Sequence, residues 1–99
     1  MATQIRMTPQ ELRDAAEFIE QRKNSIMEDV ASLKQRVDLV TGNWEGAAQS
    51  SFVATFEEQL YPVLKDTTPQ VMDGLCSQLK GAADAIERAD EEVANAFKS

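Results

Sequence analysis

The only tryptophan of the chain, Trp44, opens the tripeptide Trp44-Glu45-Gly46, which sits almost midway between two long stretches of helical periodicity. Gly46 permits a sharp change of backbone direction, and the large aromatic beside it needs cover. The tripeptide therefore divides the chain into two arms that fold back on one another.

The first arm has a well-specified start. In Thr8-Pro9-Gln10-Glu11, Thr8 serves as N-cap, Pro9 occupies the first helical position where its missing N–H costs nothing, and Glu11 closes a capping box. Leu12, Ile19, Ile26, Leu33 and Val40 then recur every seven residues, and Ala16, Val30, Val37 and Trp44 form a second row with Lys23 as its one polar break. Two such rows predict a single apolar seam along a helix over about 8–41. At roughly 33 residues this helix is about 50 Å long and must lie against a partner of similar length. Thr41-Gly42-Asn43 ends it, with Gly42 expected in the left-handed C′ conformation and Asn43 expected to cap the following helix.

The second arm reads as helix over about 47–97 after a turn at 42–46. Ala48, Phe52, Phe56, Leu60 and Leu64 share one face, and Leu75, Leu79, Ala82, Ile86, Ala89 and Val93 alternate steps of four and three, a heptad seam. Pro62 and Pro69 interrupt this arm, because an interior proline removes a backbone hydrogen bond and kinks or breaks a helix. A three-helix bundle broken within 60–68 is the rival architecture. Leu60, Leu64, Val71 and Leu75 keep helical phase across both prolines and no glycine lies between Gly46 and Gly74, which favours one kinked helix.

The fold class is thus all-α: two long antiparallel helices joined at the W-x-G turn, forming one hairpin domain over 1–99. Part of the apolar surface of such a hairpin cannot be buried within one chain, and 99 residues give a small core. A homodimeric four-helix bundle resolves both problems.

Composition narrows the chemistry. There is no histidine and one cysteine, Cys76, so an intramolecular disulfide is impossible and the common His/Cys metal geometries are out of reach. Without an imidazole, a nucleophile would need a carboxylate or lysine base held in a pocket, and two thin helical arms offer little to build one. No enzyme activity, cofactor or metal is expected. The net charge of −7, with no basic stripe on either arm, makes nucleic acid and anionic lipid poor partners. Met1 to Met7 hold no apolar run of signal-peptide length and the chain has no membrane-spanning stretch, so on these signs alone it reads as soluble and cytoplasmic.

With its length, its central Trp44-Glu45-Gly46 and its paired amphipathic helices, the chain resembles the WXG-motif, ESAT-like family of small type VII secretion system (Esx) substrates of Gram-positive bacteria. The likeness covers the whole chain. Homodimeric members of the Firmicutes branch share a carboxy-terminal pattern of hydrophobic, three spacers, Asp, two spacers, hydrophobic, three spacers, hydrophobic, and this chain supplies Ile86, Asp90, Val93 and Phe97. The tyrosine-three-spacers-acid export motif of the heterodimeric actinobacterial branch is absent, since Tyr61 is followed at the fourth place by Lys65.

The resemblance implies a protein that folds in the cytoplasm, dimerises with itself, is recognised by an FtsK-type membrane ATPase, and is secreted folded without signal-peptide cleavage. A virulence-associated or co-secretion role goes with that reading. A cytoplasmic coiled-coil adaptor and a subunit paired with another WXG protein are the alternatives. In an antiparallel family-like dimer, the hinge of one protomer would approach the carboxy-terminal segment of the other.

Structural roles stand beside these readings. Trp44 can plug the end of the bundle, Gly46 can be there because a side chain would collide with the facing helix, and Cys76 can be a small buried filler or, less simply, a regulatory thiol. Asp84, Glu87, Asp90, Glu91 and Glu92 against the single Arg88 place negative charge near a helix carboxy terminus, where the macrodipole disfavours it. This end is expected to fray, and either docks on a receptor groove as a helix that orders on binding or is a solvated face with no partner.

Overall fold

The structure, a computed structural model, describes residues 7–98. The remaining positions of the expected 1–99 unit lie outside the described residues. α1 runs over Pro9–Gly42, α2 over Ala47–Thr55 and α3 over Thr68–Lys98. Two π-helical segments, Phe56–Leu60 and Val63–Thr67, join α2 to α3 without a loop, so two long helical arms form a hairpin, with no strand among the described residues.

Local chemistry accounts for these elements. The Thr8 hydroxyl accepts from the Glu11 backbone N–H at 3.1 Å, and Pro9 occupies the first turn. Only the hydroxyl half of the expected capping box is formed, because the Glu11 side chain returns no bond among the described residues. Pro62 has no N–H to offer the Glu58 carbonyl and its ring would press on it. The helix widens instead of breaking: the Tyr61 N–H reaches back five residues to the Phe56 carbonyl, and the Thr68 N–H reaches back five to Val63. The Thr68 hydroxyl adds a 3.2 Å bond to the same Val63 carbonyl.

The wide turns also change the phase of the arm. Leu60, Val71 and Leu75 are exposed and only Leu64 is half-buried, so the continuous face expected across both prolines is not kept. Each π turn holds more residues than an α turn and rotates the downstream part of the arm relative to the upstream part.

The line along which the arms meet is narrow. Ala16 and Val30 of α1 are buried against Phe56, Cys76 and Ala83 of the second arm, flanked by half-buried Leu12, Ile19, Met72 and Leu79. Cys76 takes the role of filler, its thiol donating to the Ala16 carbonyl at 3.3 Å. Leu33, Val40, Leu75 and Val93, expected in the seam, are exposed instead. A strict seven-residue repeat drifts by about 20° per heptad on a straight helix, so one apolar row cannot face the same neighbour along the whole rod.

The two flanks of the seam differ in kind. Residues one position after seam residues, Arg13, Asp73 and Asp84, carry ion pairs across the hairpin: Arg13 to Asp84 at 2.5 Å and to Glu87, and Lys23 to Asp73 at 2.8 Å. Lys23, the polar break of the sequence pattern, lies in the seam itself and is neutralised there. Near the hinge Lys34 pairs with Asp38 at 2.6 Å and Glu57 at 3.1 Å. Residues one position before seam residues, among them Ile26, Leu33, Val40, Leu75 and Ala82, turn about 100° to the other side. In antiparallel helices that side is common to both arms, so one flank is ionic and the other largely apolar.

The result is a rod of 77 × 26 × 23 Å with a radius of gyration of 22.0 Å, against about 13 Å for a compact chain of this length. It exposes 7620 Å², roughly 2,000 Å² more than a compact monomer of this mass.

Candidate functional site

The hinge is built around the backbone carbonyls that end α1 and one glycine. The Thr41 carbonyl accepts from the Trp44 N–H at 3.3 Å and from Gln49 Nε2 at 2.9 Å, tying the start of α2 to the end of α1. The Thr41 hydroxyl is buried and donates to the Val37 carbonyl at 2.8 Å. Asn43 turns back to cap α1, donating from Nδ2 to the Leu39 carbonyl at 3.0 Å, where the sequence pattern assigned it to the next helix. Gly46, not Gly42, adopts the glycine-only conformation, with φ 120° and ψ 177°; Gly42 closes α1. A Cβ at Gly46 would meet nothing within 4 Å, so its requirement is backbone conformation and not a collision with the facing helix.

Trp44 is 40% exposed and begins an aromatic ladder that sequence reasoning did not assemble. Its ring lies 5.9 Å from Phe52, Phe52 stacks on Phe56 at 6.1 Å, and Phe56 stacks on Tyr61 at 5.6 Å. Lys34 and Lys65 sit over the Tyr61 ring at 5.4 and 6.0 Å. The spacing of Phe52 and Phe56 gave part of this signal; the Phe56–Tyr61 contact depends on the five-residue step of the π turn, which no α-helical template contains.

At the far end of the rod, Ile86, Asp90, Val93 and Phe97 fall within a narrow sector of α3 and are all exposed, Phe97 at 87%. Arg13, in the second turn of α1, pairs with Asp84 and Glu87, so only the last turns of α3 run past the described part of α1. Fraying was expected here, yet α3 is helical to Lys98. Arg13 neutralises two of the acids, and Lys98 lies in the last turn, where a cation suits the macrodipole. Within one chain the hairpin holds Trp44-Glu45-Gly46 and the Ile86–Asp90–Val93–Phe97 face at opposite ends.

Three cations are held above their ordinary pKa values by their acids. Hydrogen bonding to Glu87 and then Asp84 raises Arg13, Asp73 raises Lys23, and Asp38 followed by Glu57 raises Lys34, each against a smaller opposing cost of desolvation. The described residues enclose no pocket, bring no three metal-ligating side chains together, and contain no helix long and apolar enough to cross a membrane. What the molecule offers is surface: an aromatic hinge, an apolar flank and an exposed carboxy-terminal helix face.

A helical hairpin with a tryptophan-x-glycine hinge and exposed apolar faces in place of a cleft defines the class. The model of the WXG100 family, described as proteins of 100 residues with WXG, matches residues 4–91, and the chain belongs to that family. It is 33% identical over 92 residues to an ESAT-6-like protein of Streptococcus agalactiae, covering 93% of this chain and 94% of the relative. It is 30% identical over 93 residues to the type VII secretion system extracellular protein A of Staphylococcus aureus, covering 94% of both. Among solved structures, crystal form I of EsxA from Geobacillus thermodenitrificans superposes with a TM-score of 0.70 at 30% identity, covering 92% of this chain and 97% of that one.

Proposed function

We propose that this chain is a non-enzymatic substrate of a type VII secretion machine, working as a homodimeric four-helix bundle that folds in the cytoplasm and leaves the cell folded, without cleavage of a signal peptide. The carrying observation is the carboxy-terminal part of α3, where Ile86, Asp90, Val93 and Phe97 share one exposed face. Three apolar side chains at helical spacing around one acid suit a groove on a receptor, here an FtsK-type membrane ATPase. The names of the relatives, an extracellular protein of a type VII system among them, support the same assignment. In the antiparallel dimer the Trp44-Glu45-Gly46 hinge of one protomer lies near this face of the other, so that the receptor reads the assembled pair. Co-export of other proteins is a natural extension of that role.

The test is secretion from a Gram-positive host with an active type VII system, comparing the parental protein with Asp90→Ala and with Val93→Ala/Phe97→Ala. Both variants alter side chains outside the hairpin seam, so light scattering should show an unchanged mass while the culture supernatant loses the protein. Secretion of both variants at the parental level would remove the signal assignment and leave a cytoplasmic adaptor as the better reading.

A further inference from the structure

The apolar flank of α1 contains an anomaly. Phe18, Ile26, Leu33 and Val40 line it, with Phe18 62% exposed and Leu33 45% exposed, but its centre is occupied by Arg22 and Asp29, and Arg36, one position before Val37, lies on it nearer the hinge. Arg22 and Asp29 each stand one position before a seam residue, Lys23 and Val30, and so point to the same side as the apolar row. The cross-hairpin pairs use Arg13, Lys23 and Lys34, leaving Arg22 and Asp29 without a partner among the described residues. A cation and an anion one heptad apart, in the middle of an exposed apolar stripe, complement the same stripe run in the opposite direction.

We infer that Arg22 and Asp29 are the self-recognition residues of this protein, which pair reciprocally with Asp29 and Arg22 of a second copy across a two-fold axis passing α1 between Ser25 and Ile26. This rests on the homodimer reading above and adds its register. The axis falls at the midpoint of Pro9–Gly42. Arg22 and Asp29 lie three and a half residues either side of it, and Phe18 and Leu33 seven and a half, so the same operation that joins the charges lays Phe18 on Leu33 of the second copy. The excess of roughly 2,000 Å² over a compact monomer is of the size that each partner buries in an obligate homodimer. A two-fold axis along the rod would instead place Arg22 against the apolar row of the other α3, where Leu75 offers the charge nothing, and burying it unpaired is costly.

The experiment uses full-length protein, Arg22→Glu, Asp29→Lys and the double variant, with dimer dissociation followed by light scattering and sedimentation. Each single reversal sets like charges opposite one another twice, and the dimer should weaken by about tenfold or more. The double variant restores attraction and should recover the parental dissociation constant. Mixing the two single variants puts the reversed side chains opposite each other at one contact and the native ones at the other, so a heterodimer should form where neither variant dimerises alone. A folding defect would not be rescued by mixing. If the parental protein dimerises and the single reversals leave its dissociation constant unchanged, or if mixing restores nothing, the register is wrong; a parental protein that stays monomeric refutes the homodimer reading itself.

Discussion

Two glycines close together in the chain should respond in opposite directions to the same substitution. Gly46 sits at φ 120° and ψ 177°, a region that only glycine occupies without strain, and an added Cβ there would touch nothing within 4 Å. The whole cost of Gly46→Ala is therefore conformational, about 1–3 kcal/mol. Gly42 is the last residue of α1, has no positive φ, and an added Cβ is equally free. There alanine restricts the unfolded chain without straining the folded one, a gain of about 0.4–1 kcal/mol. Urea and thermal unfolding by circular dichroism, at one fixed protomer concentration because association contributes to stability, should show Gly46→Ala melting at least about 4 °C lower and Gly42→Ala slightly higher than the parent. Equal effects at the two positions, or a greater loss at Gly42, would refute the assignment of the hinge conformation.

Thr8→Ala removes the hydroxyl that accepts from Glu11 and should lower stability by about 1 kcal/mol, with Thr8→Ser close to the parent in the same unfolding assay. Phe56→Ala empties the one buried position of the aromatic ladder and should cost about 3 kcal/mol or more, together with a change in Trp44 fluorescence carried through Phe52. The folded pKa of Lys23 and of Lys34 lies above the ordinary 10.5, so their stabilisation is complete below that value and is lost as the pH rises through the raised one. Urea midpoints at about pH 8 and pH 11 should therefore fall further for the parent than for Lys23→Met/Lys34→Met, and parallel falls would show that the pairs add nothing.

Much of the architecture was legible because it rests on local rules. The Thr8-Pro9 start, the end of the first arm near Gly42 and the turn before the second all come from capping and backbone preferences that act within a few residues. The facing of the rows was not legible in the same way. Leu33, Val40, Leu75 and Val93 satisfy a heptad pattern as well as the true seam residues do, and periodicity alone does not say which of two adjacent rows meets the other arm. The seam turns on Ala16, Cys76 and Ala83, small residues that let the backbones approach and that carry little weight in a hydropathy pattern. The π turns escaped for another reason: Pro62 announces a disturbance, but whether a helix breaks, kinks or widens depends on whether Tyr61 and Thr68 find carbonyls five residues back. At the site, the residues of the hinge and the carboxy-terminal face were readable as motifs, while the ladder through Phe56 to Tyr61 required the widened geometry.

The antiparallel pairing of the arms also sets an order of events. Beside the hinge, Gln49 reaches Thr41 over eight residues, whereas Arg13 and Asp84 at the other end are separated by 71. Closing the first contact costs little chain entropy, and each later one adds only a short further length once its predecessor is in place. The hairpin therefore zips from Trp44 toward the termini and unzips in reverse. The end that carries Asp90 and Phe97 is the last to close, and it can open locally while the hinge stays folded.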